Sequence, residues 1–353
     1  MIASIDFKIT RAQKSKLEDI VLENIPFGRV FTDHMLVAEY EGGEWKNFEI
    51  KPYQSLQVDP SNAAWHYGQS IFEGIKAYPM PDGEVTIFRP YDNFKRFNIS
   101  AERMQMPQVP EELFIEGMRQ LIEVDKQWVP QYPNHALYIR PFMFASDDAI
   151  GVRPSEKYLF IVILSPTGPY YAAPMRLYVE DTYVRAVQGG VGYAKTAGNY
   201  AASMYAMAKA KEKGYDQVLW TDAAEHKYVQ EAGVMNVFFI IGNKAITPNL
   251  DGAILAGITR DSVITVLREM GIEVEERPIH IDELMEAYKN GELKEVFGAG
   301  TAATISMIKG LGFHGMDMHF DTNTWKISPA ILDKLNAIRY GHEADTHEWL
   351  YKV

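Results

Sequence analysis

The segment 165–174 contains three prolines and one glycine, and it directly follows the apolar run 158–164. Proline cannot donate to a strand ladder, so such a segment is typical of a linker between domains. The chain has 353 residues, which exceeds the usual size of a domain with one hydrophobic core. We therefore predict two domains, residues 1–164 and 175–353, joined by a linker over 165–174.

The charge balance limits the partners that the chain could bind. It has 35 basic and 47 acidic side chains, a net charge of −12, and no basic cluster. Nucleic acid and anionic membranes are therefore poor partners, although a few arginines in a cleft could still bind a small anion. There is no cysteine, which excludes disulfides and thiolate catalysis. No signal peptide, membrane span or metal-site spacing is visible, so we expect a cytoplasmic protein without a metal.

Lys195 stands in a segment of small residues, with glycines at 189, 190, 192 and 198. Glycines allow a bulky group to approach closely, and a lysine that does covalent chemistry needs an accessible amine. An alanine-rich helical sequence follows from residue 199. The commoner alternative is a solvated lysine in a glycine-rich surface loop, and this segment alone favours that alternative.

Three further places carry candidate charged groups. Arg89 precedes Pro90 at the end of a predicted strand, where it should be extended and could point into a cleft or form a surface ion pair. Tyr138 and Arg140 alternate along another strand, so both lie on one face and could clasp a carboxylate or simply pack together. Glu231 adjoins an apolar run, and it is either a turn residue in water or a buried carboxylate with a partner.

Two glycine turns carry threonines next to free backbone amides. One opens a predicted helix near Thr259, and the other contains Gly300 and Thr301. The amides at the start of a helix bind phosphate well. Together with a lysine, a carboxylate and an arginine, these turns are the parts that a pyridoxal phosphate site needs, although none of them is diagnostic alone.

Nine short motifs resemble the branched-chain amino-acid aminotransferases, a family of fold type IV pyridoxal phosphate enzymes. They run in order along nearly the whole chain. The most specific are Phe72-Glu-Gly and the stretch from Lys195 to Asn199-Tyr200. The others begin at Phe88, Leu137, Gln217, Glu231, Gly257, Phe297 and Ile338. The resemblance implies an α/β (α+β type) fold with a smaller N-terminal α/β domain, a larger C-terminal domain with a barrel-like sheet, and pyridoxal 5'-phosphate between them.

The resemblance also implies a role for each matching residue around the cofactor. Lys195 would hold the cofactor as a Schiff base and carry the proton from the substrate's Cα. Glu231 would face the ring nitrogen, and Tyr200 would hydrogen-bond the phenolate oxygen. The phosphate would be held by Arg89, Ile258, Thr259 and Thr301.

The substrate roles follow in the same way. Tyr138, Thr301 and Ala302 would hold the α-carboxylate, and Arg140 would take the side-chain carboxylate of glutamate or 2-oxoglutarate. The apolar pocket would be lined by Phe72, Tyr67 and Met235. Gly151-Val152 fits the loop that, in this family, closes the site of the other subunit, so the resemblance implies a homodimer.

The expected reaction is transamination of L-leucine, L-isoleucine and L-valine with 2-oxoglutarate. A D-amino-acid aminotransferase and an aminodeoxychorismate lyase share the fold and remain alternatives. A cofactor-binding scaffold protein without activity is a third. The cysteine pair of the mitochondrial members is replaced by Ala303 and Ser306, which excludes thiol regulation.

Overall fold

The computed structural model describes residues 5–168 and 173–353. They form two compact units, which we call the first and the second unit. The first unit contains 5–168, Ala194–Gly198 and Ile338–Val353, and the second contains 173–193 and Asn199–Ala337. The short segment around Lys195 therefore belongs to the first unit, although its neighbours along the chain belong to the second.

Eighteen strands lie within the described ranges. They are β1 Lys8–Ile9, β2 His34–Glu41, β3 Glu44–Pro52, β4 Ser70–Phe72, β5 Ile75–Pro79, β6 Val85–Phe88, β7 Ala136–Ala145, β8 Tyr158–Thr167, β9 Met175–Glu180, β10 Gln217–Thr221, β11 Val229–Ala232, β12 Met235–Ile241, β13 Lys244–Thr247, β14 Glu273–Glu276, β15 Leu293–Gly300, β16 Thr304–Phe313, β17 Met316–His319 and β18 Leu350–Lys352.

The same ranges contain seven α-helices. They are α1 Ala63–Tyr67, α2 Pro90–Arg103, α3 Glu111–Val124, α4 Ala197–Glu212, α5 Ile258–Glu269, α6 Ile281–Lys289 and α7 Ile327–Arg339. None of these helices, within 5–168 and 173–353, has the length and apolar character needed to cross a membrane.

The first unit is built on one largely antiparallel sheet in the order β1-β3-β2-β8-β7-β5-β6-β18, with β4 paired to β7. The alternation of apolar side chains along β8 explains why this sheet forms. Phe160, Val162 and Leu164 point into one large core, whereas Ile161 belongs to a smaller cluster on the other face. Helices α2 and α3 cover the large core with residues such as Phe97. Strand β8 is therefore packed on both of its faces.

The sheet of the second unit closes on itself. Its order runs β11-β10-β9-β16-β15-β12, and β11 also pairs with β12, so six strands form a barrel-like ring. Strands β13 and β14 extend it beyond β12, and α6 packs Ile281, Leu284 and Ala287 into its core. The predicted α/β (α+β type) fold with a barrel-like sheet in the later part of the chain is confirmed.

The division into units differs from the boundaries predicted from the sequence. Residues 165–167 continue β8 instead of beginning a linker, and 169–172 of the predicted linker lie outside the described residues. Pro166 can stand in β8 because β2 has already ended at its level, so that only Leu137 of β7 pairs with it. Its missing N–H therefore removes no ladder bond. The C-terminal residues return to the first unit because β18 pairs with β6.

Candidate active site

Lys195 is held by its backbone against strand β4 of the first unit. Its carbonyl accepts from the amide of Phe72 at 3.1 Å, and its own amide donates to Oγ of Ser100 at 2.9 Å. The neighbouring Thr196 forms an antiparallel bridge with Ile71 and donates its hydroxyl to the carbonyl of Ser70. These bonds fix the origin of the lysine side chain, although no helix or long strand contains it.

The amine of Lys195 lies in an aromatic and cationic cluster. Its Nζ is 5.0 Å from the ring centroid of Phe72, and Cζ of Arg140 is 4.6 Å from the same centroid. Arg140 also donates to the hydroxyl of Tyr138 at 2.8 Å. Gly74 is required beside this cluster, because a Cβ there would lie 2.3 Å from Oη of Tyr138. The structure thus brings together four residues that the sequence named separately: Phe72, Tyr138, Arg140 and Lys195.

Arg89 has a different backbone from the one predicted. It is left-handed, with φ 51° and ψ 48°, and not extended. The chain turns there from β6 into α2, and the Arg89 carbonyl accepts from the amide and the side chain of Asn93. Its Nε donates to Asp92 at 2.7 Å, and its guanidinium lies 5.4 Å from the Trp349 ring. Pro90 excludes only the right-handed helical region for the preceding residue, so the left-handed conformation remains available.

Tyr67 and Val152 lie at the surface of the first unit. Tyr67 ends α1 and is 41% exposed, and Val152 is 91% exposed. Neither residue is part of the cluster around Lys195. Their predicted roles, as a pocket wall and as part of a loop that serves another subunit, stay predictions.

Glu231 is a buried strand residue in the second unit. It lies in β11, is 4% exposed, and pairs in register with Asn236 of β12. Its Oε1 accepts from the amide of Leu255 at 3.2 Å and from Nδ2 of Asn236 at 3.4 Å. Its Oε2 lies 2.6 Å from Nε of Arg185, an ion pair whose N–H direction does not meet hydrogen-bond geometry. Of the two sequence interpretations, the buried carboxylate with a partner is the one observed.

Tyr200 shares a small cavity with Glu231. Tyr200 lies in the first turns of α4, and the cavity of about 20 Å³ can hold one water molecule. Its lining residues are Arg185, Asn199, Tyr200, Ser203, Glu231, Gly233, Val234 and Leu255. A phenol and a carboxylate therefore reach the same space within the second unit.

The N-terminus of α5 has the features of a phosphate cradle. Gly257 is its N-cap residue and has no side chain with which to cap the helix, and Ile258 and Thr259 form its first turn. A Cβ on Gly257 would lie 1.9 Å from Oδ1 of Asn236, so only glycine permits this close approach of the loop. The amides at the start of a helix of 12 residues favour an anion.

The second glycine turn connects two strands of the barrel-like sheet. Thr301 and Ala302 follow Gly300 at the end of β15 and are half-buried. Met235 packs beside this turn, because a Cβ on Gly300 would lie 3.3 Å from its Cγ. Thr301, Ala302 and Met235 thus form one local group. In the described residues, no three His, Asp or Glu side chains form a group that could hold a metal ion.

Sequence reasoning missed three contributors to these sites. Arg185 contacts Glu231, Ser100 holds the amide of Lys195, and a buried ion pair joins Glu73 to Arg96 at 2.7 Å. Arg185 and Ser100 lie outside every motif, and no spacing links either one to its partner. Glu73 lies inside the Phe-Glu-Gly motif, but its partner is on α2 and becomes visible only after folding.

Comparison with known proteins gives consistent matches. The profile of the family described as Amino-transferase class IV matches residues 70–311. Branched-chain-amino-acid transaminase 1 of Bacillus subtilis (strain 168) is 49% identical over 336 residues, which covers 94% of each chain.

Two solved structures extend this similarity. The branched-chain amino acid aminotransferase of Escherichia coli has a TM-score of 0.73 at 26% identity, covering 90% of this chain and 98% of that one. A branched-chain amino acid aminotransferase from T.th., complexed with N-(5'-phosphopyridoxyl)-L-glutamate, has a TM-score of 0.70 at 27% identity, covering 89% and 97%.

Proposed function

Because the chain belongs to the class IV aminotransferase family, we propose that it transfers the amino group of L-leucine, L-isoleucine and L-valine to 2-oxoglutarate. The products are the branched-chain 2-oxo acids and L-glutamate. The observation that carries this proposal is the near-full-length similarity to curated branched-chain transaminases. It favours this reaction over the D-amino-acid aminotransferase and the lyase, and the predicted family resemblance is confirmed.

The proposed cofactor is pyridoxal 5'-phosphate. The phosphopyridoxyl derivative of glutamate in the T.th. structure supports this choice. The residues of this chain fit the cofactor: the amine of Lys195 lies beside Phe72, Glu231 is buried with a counter-ion, and Gly257 begins α5, where helix amides favour an anion. When bound, the cofactor supplies a ring that withdraws electrons from the substrate's Cα.

Each residue near the cofactor has a distinct task in this proposal. Lys195 attaches the cofactor covalently and moves the proton released from Cα. Glu231 holds a proton at the ring nitrogen, and Tyr200 donates to the phenolate oxygen. Arg89, Ile258, Thr259 and Thr301 bind the phosphate. For Ile258 and Thr259 the support is their position in the first turn of α5.

The substrate is proposed to be held by charge and by aromatic contacts. Arg140 lies on the faces of Phe72 and Tyr138, and no carboxylate of the described chain pairs with it. It can therefore take the side-chain carboxylate of 2-oxoglutarate, whereas a leucine side chain packs on Phe72 without needing that charge. Tyr138, Thr301 and Ala302 hold the α-carboxylate. Met235, Phe72 and Tyr67 form apolar walls.

We further propose that the protein is a homodimer. Large apolar side chains are exposed on its surface, including Trp65 at 65%, Ile150 at 70% and Val152 at 91%. A second copy of the chain that covered these side chains would remove apolar surface from water. In the proposal, Val152 contacts the substrate pocket of the other subunit. A cytoplasmic location also stays a prediction.

A donor panel tests the reaction. The purified protein is incubated with 2-oxoglutarate and L-leucine, L-isoleucine, L-valine or D-alanine, and glutamate is quantified; aminodeoxychorismate is assayed separately. We expect turnover with the three branched L-amino acids and a change in the visible spectrum when L-leucine is added. Activity confined to D-alanine or aminodeoxychorismate would overturn the proposal, and an unchanged spectrum without turnover would indicate a scaffold protein.

A further inference from the structure

We propose that Arg185 is a positioning residue that keeps Glu231 ionised and aimed, so that the carboxylate holds the proton on the cofactor's ring nitrogen. This inference rests on the proposed function, because it concerns the same cofactor. It adds a residue that lies in none of the nine motifs and that acts through Glu231 without touching the reacting atoms.

Arg185 is fixed by two loops of the second unit. Its side chain is 9% exposed, and its Nη2 donates to the carbonyl of Gly192 at 3.3 Å and to the carbonyl of Ala253. The two loops meet closely, since a Cβ on Gly192 would lie 2.1 Å from the Ala253 oxygen. The guanidinium is therefore held in one place before it meets the carboxylate.

The contact between Arg185 and Glu231 is short. The Arg185 Nε to Oε2 distance is 2.6 Å, compared with 3.2 Å from the Leu255 amide and 3.4 Å from the Asn236 amide group to Oε1. Leu255 lies two residues after Ala253 in the same loop. This loop therefore donates an amide to Oε1 of Glu231 and supplies the carbonyl that anchors Arg185, which contacts Oε2. Both oxygens of Glu231 thus have a partner that this loop supplies or anchors.

The positive charge of Arg185 explains why its contact with Glu231 affects whether the carboxylate or the ring nitrogen holds the proton. A carboxylate that is 4% exposed is unfavourable as an anion unless a cation or several donors compensate it. Arg185 touches Glu231 directly, and it would influence the ring nitrogen only through that residue. Removing the cation therefore favours protonation of the carboxylate more than protonation of the ring, and the shared proton moves from the ring nitrogen to Glu231.

A purely structural role is the alternative. Arg185 could serve only to join the two loops through their carbonyls, and its loss would then lower stability without changing the cofactor ring. The test must therefore read the protonation of the ring nitrogen itself. The ¹⁵N chemical shift of pyridoxal phosphate labelled at that nitrogen gives this reading in the folded holoenzyme.

The experiment compares wild type with Arg185→Gln and Arg185→Lys, with Arg176→Gln as control. Arg176 forms a partly exposed ion pair with Asp317 in the same unit, so its loss should leave the ring unchanged. We expect a protonated ring in wild type and in Arg185→Lys, and a shift toward the neutral value in Arg185→Gln. We also expect a cofactor dissociation constant raised roughly 10–100-fold in Arg185→Gln, as for loss of a charged partner.

Each outcome bears on a different statement. An Arg185→Gln holoenzyme with the wild-type shift and dissociation constant would overturn the inference. If Arg185→Gln does not fold, Arg185→Lys still tests the inference, because a neutral ring in a folded variant that keeps the charge contradicts it. A wild-type protein that binds no pyridoxal phosphate would instead refute the proposed function.

Discussion

The main-chain amide of Lys195 donates to Oγ of Ser100, 2.9 Å away, although 95 positions separate the two residues. Ser100 is fully buried in α2 and donates in turn to the carbonyl of Arg96, whose guanidinium pairs with the buried Glu73. The backbone of the proposed catalytic lysine is therefore held by the interior of the first unit. This relationship makes the position of the amine sensitive to a residue outside every motif.

Replacing Ser100 with alanine should weaken both the fold and the reaction. The Lys195 amide would lose the Ser100 acceptor in a partly buried place, so we expect the free energy of unfolding in urea to fall by about 1 kcal/mol. The turnover number should fall about 10-fold, because the amine loses its fixed origin. Ser61→Ala is the control, since Ser61 is half-buried and its amide and hydroxyl both donate to the nearby Asp59. Equal behaviour of the two variants would show that this hydrogen bond is dispensable.

Lys195→Ala should lose essentially all transamination. The proposed covalent attachment and proton transfer both use this amine, so the loss should be on the order of 10⁴-fold or more. Borohydride treatment of the wild-type holoenzyme, followed by peptide mass analysis, should place the cofactor on the peptide that contains Lys195. Lys211→Ala, an exposed change in α4, should retain activity. Wild-type rates in Lys195→Ala would show that another residue carries the chemistry.

Arg140→Met should separate the two substrates. We expect KM for 2-oxoglutarate to rise by roughly 10–100-fold, because a hydrogen-bonded charge pair with its side-chain carboxylate is lost. KM for L-leucine should change much less, since methionine still packs on Phe72. Steady-state kinetics with each substrate varied in turn provide the measurement. A parallel rise for both substrates would assign Arg140 to the α-carboxylate instead.

Lys76 should make stability depend on pH. Burial, with the charge of Arg339 nearby, lowers the pKa of Lys76 from 10.5 to about 7. Between those values the unfolded chain binds more protons than the folded chain, so the free energy of unfolding should rise with pH by at most about 1.4 kcal/mol per unit. Burial raises the pKa of Tyr78 above its usual value, so this phenol should not offset the rise below pH 10.

Lys76→Met should remove that rise, and Lys211→Met should keep it because Lys211 is exposed. Urea unfolding at several pH values between 7 and 10 gives the comparison. If Lys76→Met follows the wild-type slope, the amine is charged in the folded protein across this range.

Several features of the site could be predicted from the sequence, because they depend on residues that are close together along the chain. Strand periodicity places Tyr138 and Arg140 on one face of β7, and their side chains do hydrogen-bond. The helix after Lys195 is observed as α4, and a glycine turn does open α5. These features depend on a few neighbouring residues, so tertiary packing left them unchanged.

The errors arose where partners are distant in sequence. Arg89 is left-handed because the strand must turn into α2 while its amide bonds to Trp349, which is near the C-terminus. The prolines at 166 and 169 indicated a linker from 165, yet β8 runs to Thr167 because Pro166 needs only one neighbouring strand at that level. The residue types at positions 89 and 166 do not reveal which distant segments these residues pair with.

By itself, the sequence determined which family the chain belongs to, its α/β character, and the amine, carboxylate and glycine turns around which the function is proposed. Only the tertiary structure decided that the amide of Lys195 bonds to Ser100 and that the carboxyl group of Glu231 is buried beside Arg185. The reason is physical: periodicity and turn preference act between neighbours along the chain, whereas burial and ion pairing depend on groups that only folding brings together.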